Sequence, residues 1–140
     1  MNIRRKARET ALQVLYKIDI AEGESSDVFG PDMEALAPGT EARRYCELLV
    51  RGVIDRRKEI DSMIEGHSDN WTIERMAIVD RNILRTAVFE LFYTETPYKV
   101  IIDEAVELAK RYGSEESSAF INGLIDKIRK ESDKTARAAT

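Results

Sequence analysis

Apolar residues recur at spacings of three and four along most of the chain, which is the period of helices that bury one face. In the first segment these positions are Ala7, Ala11, Val14, Leu15 and Ile18. Alternation of apolar and polar residues, the mark of a half-buried strand, is rare. The pattern therefore predicts an all-α protein, with helices over about 3–21, 41–65 and 72–92 and two more in the C-terminal third.

One long interruption separates the first helix from the second. The stretch from Gly23 to Gly39 holds three of the seven glycines and two of the three prolines. These residues favour turns, so we predict a loop with room for one short helix over about 32–36.

Short polar motifs predict where the last two helices begin and end. Thr96 is expected to cap one of them, with Pro97 at its first position. Gly113 is expected to end that helix in the left-handed conformation, and Ser114 to cap the helix that follows. Residues 132–140 have no apolar period and are predicted to form a disordered tail, which leaves one domain over 1–131.

The composition is that of an ordinary globular domain. Of 140 residues, 43% are hydrophobic and 34% are charged, and this length suffices to bury a core. The single cysteine, Cys46, excludes an internal disulfide and a multi-cysteine zinc site. Apolar runs are too short to span a membrane and no secretory signal pattern opens the chain, so a cytoplasmic protein is expected.

The sequence contains no motif for catalysis or cofactor binding. Phosphate-binding loops, dinucleotide fingerprints and nucleophile elbows are absent. The only histidine, His67, lies in a loop-like stretch and has no second histidine with which to share a metal. In the helix predicted after Pro97, Lys99 lies four residues before Asp103, and Arg111 lies four residues after Glu107. This spacing indicates a solvated, ion-paired face that also includes Glu104. We therefore predict no enzyme activity and no cofactor.

The N-terminus is cationic although the chain as a whole is acidic. Arg4, Arg5, Lys6 and Arg8 come before any acid, while the formal net charge of the chain is −4. Cations at a helix N-terminus oppose the helix dipole, so local stability does not account for them. Binding of a single-stranded nucleic acid would account for them, with phosphates on the cations and a base near Tyr16, which lies on the same side of the helix as Arg5. The alternative is a solvated helix end, with Tyr16 at the margin of the core.

Three segments together resemble the NusB family of transcription antitermination factors. They are "RRKARETALQVLYKID", "VDRNILRTAVFEL" and "TPYKVIIDEAVELAKRYGSEESSAFINGLIDKI", in the family's order and over most of the chain. The resemblance implies a single NusB-like helical domain made of two packed helical subdomains, without catalytic activity. It also implies binding to boxA, a single-stranded element of nascent RNA, together with NusE, a ribosomal protein of the small subunit. In the family this pair helps the transcribing RNA polymerase resist termination, notably on ribosomal RNA operons.

The resemblance also implies which N-terminal residues contact RNA. The arginine-rich start of the family corresponds here to Arg4, Arg5, Lys6 and Arg8, and Tyr16 matches the tyrosine of the family's "LY". Lys6 lacks the planar fork of an arginine, so a bidentate contact is not expected from that position.

A second group of implied RNA contacts lies near the last helix. Glu116 and Phe120 match the acidic and aromatic positions of the family's "EDSxKF" pattern, which reads "EESSAF" here. Ala119 replaces the usual basic residue, which weakens a phosphate contact. Phe120 also continues the apolar stripe of Leu124 and Ile128, so a core position and an RNA contact both remain open.

The surface that faces the protein partner is implied less specifically. Glu74 and Asp80 match acidic positions of the NusE-facing side, and acids there would complement a basic ribosomal protein. Exposed helix charges are the alternative reading. Trp71 is expected to fill the core rather than to anchor a partner. The rival to RNA binding as a whole is a helical adaptor that binds protein only, and steep weakening by salt would distinguish the two.

Overall fold

The computed structural model describes residues 3–21, 35–69 and 71–139, with side chains as far as residue 132. Over these ranges the chain forms helices and no strand: α1 Ile3–Ile20, α2 Glu41–Asp55, α3 Arg57–His67, the 3₁₀ helix Ile73–Arg75, α4 Ile78–Tyr93, α5 Tyr98–Tyr112 and α6 Ser117–Ala139. The all-α prediction is confirmed. Most of the short helix expected over 32–36 lies outside the described residues.

Helix α4 is the centre of the fold. It contacts α1, α2, α3, α5 and α6, and residues around its circumference are buried, among them Ile83, Leu84 and Val88. Helix α1 packs most extensively against α2, and α5 against α6. Because α4 joins these two pairs into one core, the architecture agrees with the predicted pair of packed subdomains.

The predicted helix over 41–65 is in fact two helices. The backbone breaks at Arg56, with φ −114° and ψ 22°, and α3 begins at the next residue. Val53 and Ile60, seven residues apart on either side of the break, are both buried. The apolar period is therefore preserved across the break, and a sequence pattern cannot reveal it. The predicted stretch over 72–92 likewise divides into the 3₁₀ helix and α4.

The predicted caps of α5 and α6 are wrong. Helix α5 begins after Pro97, and the Thr96 hydroxyl instead lies 3.1 Å from the hydroxyl of Tyr45 on α2. Helix α6 begins only at Ser117, and the Ser114 hydroxyl lies 3.1 Å from Oγ of Ser117. Both hydroxyl groups thus take part in contacts outside the predicted cap positions.

Gly113 is needed for a close approach rather than for a left-handed backbone. Its φ is −94°, which any residue adopts. A Cβ at this position would lie 2.6 Å from Cβ of Ser117 and 2.8 Å from the carbonyl oxygen of Ala109. Glycine therefore lets the chain turn tightly from α5 into α6. Among the described residues only Gly39 has a positive φ, of 78°.

The last helix is longer than predicted. Helix α6 continues to Ala139, whereas the sequence pattern predicts a disordered tail over 132–140. Lysine, alanine, arginine and glutamate favour helices, and a helix already nucleated by the packing of Ile121, Leu124 and Ile128 extends at low cost. The absence of an apolar period therefore does not exclude a helix.

Candidate RNA and protein interface

The first turn of α1 carries two exposed cations, Arg4 and Lys6, of which Arg4 lies against α2. The Arg4 guanidinium lies 4.4 Å from the centre of the Tyr45 ring, and its Nε lies 3.3 Å from Oε1 of Glu41. Lys6 is exposed. Both cations are accessible to a ligand from solvent.

Arg5 is held by a carboxylate of α5. Its Nε and Nη2 donate to Oε1 and Oε2 of Glu104 at 3.2 and 2.7 Å. Half of the Arg5 side chain stays exposed, at 51%, whereas only 7% of the Glu104 side chain is exposed. The hydrogen bond to Glu104 raises the pKa of Arg5, so the guanidinium is a permanent cation on the surface.

Arg8 does not lie on the surface, in contrast to its predicted RNA contact. The residue is 5% exposed. Its Nε and Nη2 donate to Oε1 and Oε2 of Glu90 at 2.7 and 3.0 Å. Its Nη1, which has no hydrogen-bond partner among the described residues, lies 3.6 Å from Oε1 of Glu104. The structure therefore assigns Arg8 to the core.

The burial of Arg8 follows from the width of the apolar face of α1. At about 100° per residue, Arg8 falls between the azimuths of Leu15 and Leu12. Leu12 is not among the apolar positions that the pattern assigns to the buried face of α1, but it is buried together with Leu15. A stripe that includes both leucines also includes Arg8, and the cation is stabilised there by Glu90.

Tyr16 borders a groove between α1 and the start of α4. The groove has a volume of about 450 Å³ and is lined by Leu12, Gln13, Tyr16, Lys17, Val79 and Tyr112. Tyr16 is 37% exposed. It lies eleven residues from Arg5 on the same helix, which corresponds to about 16 Å along the axis. A ligand that contacts both residues must therefore be extended.

A cavity of about 300 Å³ joins the two other groups of predicted site residues. Its lining includes Asp80 from the predicted partner surface, Glu116 and Phe120 from the predicted RNA surface, and Trp71. Glu116 is exposed, and Phe120 is partly buried against the core, so Phe120 serves the core and the cavity at once. The structure brings these four residues together, although they come from three parts of the chain.

Asp80 and Trp71 give this cavity an unusual chemistry. Asp80 is 9% exposed, and within the described ranges its Oδ1 has no hydrogen-bond partner. Trp71 is 50% exposed, so the prediction that it fills the core is wrong. It precedes the 3₁₀ helix, whose single buried residue is Ile73. Glu74, the other predicted partner residue, is exposed on the same turn.

A match to a family model identifies the relatives of this chain. The model of the NusB family matches residues 5–130. The chain belongs to the NusB family. A transcription antitermination protein NusB of Anaeromyxobacter dehalogenans is 50% identical over 126 residues, which cover 89% of each chain.

Solved NusB structures share the fold. A NusB structure from T. maritima is 36% identical, with a TM-score of 0.82 and coverage of 91% of both chains. A complex of the antitermination factors NusB and NusE with double-stranded RNA contains a chain that is 32% identical. That chain gives a TM-score of 0.84, with 94% of this chain and 98% of that chain covered. These identities over nearly whole chains fix the NusB fold for this protein.

Sequence reasoning missed two buried acids that bind the arginines of α1. Glu104 was interpreted as part of a solvated face, but it lies on the buried stripe, three residues after Ile101 and four before Leu108. That spacing is the signal that could have identified it. Glu90, also buried, lies on α4, where every side of the helix is covered. Helical position alone therefore could not separate it from its apolar neighbours.

Two kinds of site were sought in the described part of the chain and not found. No group of three histidine, cysteine or acidic residues is placed to hold a metal ion there. No helix in those ranges is long and apolar enough to cross a membrane. Cys46 is buried.

Proposed function

We propose that this protein is a non-catalytic transcription antitermination factor of the cytoplasm. It binds boxA RNA together with NusE and promotes processive transcription of ribosomal RNA operons by RNA polymerase. The observation that carries the proposal is membership of the NusB family, supported by the likeness to a NusB–NusE complex that contains RNA.

The exposed cations of α1 supply the phosphate contacts. Arg4, Arg5 and Lys6 are accessible, whereas Arg8 is buried. If each of the three neutralises one phosphate of a single strand, the logarithm of the binding constant falls with the logarithm of salt with a slope of about −2. Three phosphate contacts make a weak site, so stacking on aromatic side chains and a partner protein are needed.

The aromatic residues Tyr16 and Phe120 extend the RNA surface. Each is accessible at the edge of a concavity, and a base stacked on an aromatic ring contributes about 1–3 kcal/mol. Glu116 is exposed and lines the same cavity as Phe120, and its carboxylate would accept a hydrogen bond from the edge of such a base. These contacts supply affinity that three phosphates do not.

The acidic part of the cavity supplies the contact with NusE. Asp80 has a buried carboxylate oxygen without a partner among the described residues, and such a group gains most from an incoming cation. Trp71 offers an exposed ring for a cation–π contact. Glu74 adds a negative charge on the same turn. A lysine or arginine of a basic ribosomal protein fits this chemistry.

The two surfaces share one cavity, which explains why RNA and NusE bind together. Phe120 and Glu116 line the cavity with Trp71 and Asp80. A protein that binds Trp71 and Asp80 therefore lies beside an RNA that binds Phe120 and Glu116. Each ligand excludes water from the contacts of the other, so their binding is mutually supportive.

Binding of labelled RNA tests the proposal. We would measure a single-stranded boxA-like RNA and a duplex of the same sequence, each with and without NusE, at two salt concentrations. The triple variant R4A/R5A/K6A removes the exposed cations of α1, and R44A/K58A/K99A removes three exposed cations elsewhere. We expect NusE to strengthen binding of the single strand, and only the first variant to lose it.

Two results would contradict the proposal in different ways. Equal losses in both triple variants would mean that net charge, and not the surface of α1, attracts the RNA. Tight binding to NusE without any RNA binding would leave a protein adaptor, which is the rival function.

A further inference from the structure

Glu104 connects the surface of α1 to the core. Its carboxylate receives Arg5 through two hydrogen bonds and faces Nη1 of Arg8 at 3.6 Å. Arg8 is in turn bound to buried Glu90 on α4. Glu104 itself lies on the buried stripe of α5. Its position is therefore set by the core, while its ligand Arg5 lies at the surface.

This contact orders a side chain that would otherwise sample many conformations. A surface arginine loses most of its rotamer freedom when it is fixed. Glu104 binds the Nε–Nη2 edge of Arg5, so Nη1 lies on the side away from the carboxylate. Half of the side chain remains exposed, and a guanidinium edge matches two phosphate oxygens.

We propose that Glu104 is a positioning residue for RNA, which holds the Arg5 guanidinium in the orientation that receives a phosphate. The inference rests on the proposed RNA binding. It adds a residue that touches no RNA, and it gives the buried acid of α5 a function beyond the fold.

Electrostatics and positioning predict opposite effects when the Glu104 charge is removed. A carboxylate close to a phosphate repels it, so loss of the charge alone would strengthen RNA binding. Loss of an ordered Arg5 would weaken it. Glu107 is the matched control, because it is an exposed acid three residues further on α5 and lines the same small recess as Arg5.

The test compares RNA affinity in the presence of NusE for five proteins: wild type, E104Q, E107Q, R5A and the double variant R5A/E104Q. We expect E104Q to bind about three- to tenfold more weakly, the range for one ordered flexible side chain. E107Q should bind as tightly as wild type or slightly more tightly. In the R5A background, E104Q should have no further effect, because the residue acts through Arg5.

A second variant and a second readout keep the test independent of folding and of RNA binding. E104D keeps the charge that faces Arg8 but is too short for both bonds to Arg5, so it should weaken RNA binding like E104Q. In RNA-free wild type the Nε–H resonance of Arg5 should be resolved. In E104Q and E104D it should overlap the resonances of the mobile arginines. Wild type with a resolved resonance but no RNA binding would refute the proposed function instead.

Three outcomes would overturn the inference while RNA binding stands. They are tighter RNA binding by E104Q than by wild type, equal changes in RNA affinity in E104Q and E107Q, or an unresolved Nε–H resonance of Arg5 in wild type.

Discussion

The buried pair of Arg8 and Glu90 can be broken in one step or replaced in two. Arg8→Met leaves the Glu90 carboxylate, which is 2% exposed, without its bidentate partner. Removing one member of a buried pair costs about 3–5 kcal/mol, because the remaining charge stays uncompensated. Arg8→Met combined with Glu90→Leu removes both charges, and such apolar replacements are close to neutral.

The expected change in melting temperature follows from the size of the chain. Unfolding entropy is about 2.1 cal/mol/K per residue, which for 140 residues gives about 0.3 kcal/mol/K. A loss of 3–5 kcal/mol therefore lowers the melting temperature of Arg8→Met by about 10–17 °C. The double variant should melt within about 4 °C of wild type, because it leaves no unpaired charge at this site.

Thermal unfolding followed by circular dichroism measures both variants, and RNA binding of the double variant decides the role of Arg8. We expect the double variant to bind RNA with NusE as wild type does, since Arg8 is buried. A loss of tenfold or more in RNA affinity by a folded double variant would mean that Arg8 reaches the RNA. A decrease of less than about 3 °C for the single variant would refute the energetic argument.

Three further predictions concern pH, packing and the partner. Hydrogen bonds from α4 lower the pKa of Asp19 from 3.8 to about 2. The contribution of ionised Asp19 to the free energy of unfolding is therefore complete above pH 3.8 and is lost as pH falls towards 2. D19N should flatten this part of the curve of unfolding free energy against pH. Gly52→Ala should lower the melting temperature by about 3–10 °C, because its Cβ would overlap the ring of Phe89. Gly66→Ala has open space at its Cβ and should leave the melting temperature unchanged. Equal decreases in the two variants would mean that overlap with Phe89 is not the cause. Trp71→Ala should weaken NusE binding at least tenfold, because Trp71 is exposed beside Asp80, and calorimetry of binding would measure this loss. The melting temperature should not fall. An unchanged affinity for NusE would remove Trp71 from the interface.

The helices could be predicted because their signal is local. The period of apolar residues located α1 and α5 to within about two residues at each end. The break at Arg56 preserves that period, so it left no trace in the pattern. The caps failed because the Thr96 hydroxyl contacts Tyr45 on another helix, and because α6 begins only at Ser117, three residues after Ser114.

The residue types of the site could be predicted from the sequence, but the burial of individual residues could not. Four cations at the N-terminus indicated a polyanion, yet one of them is a core residue. Arg8 finds its carboxylate 82 residues away, and Arg5 finds one 99 residues away. A helical pattern reports azimuth, whereas the burial of a charge depends on a distant partner. The cavity that joins Asp80 with Phe120 is likewise a product of packing, which no local spacing encodes.

The long sequence separations of these ion pairs have a consequence for synthesis of the chain. Helix α1 leaves the ribosome first, but its acidic partners Glu90 and Glu104 are added 82 and 99 residues later. At about 5–20 residues per second, that interval lasts about 4–20 s. Until then Arg8 is one more cation on a nascent segment beside a surface made of ribosomal RNA. Completion of α4 and α5 supplies Glu90 and Glu104, so the burial of Arg8 is a property of the finished protein alone.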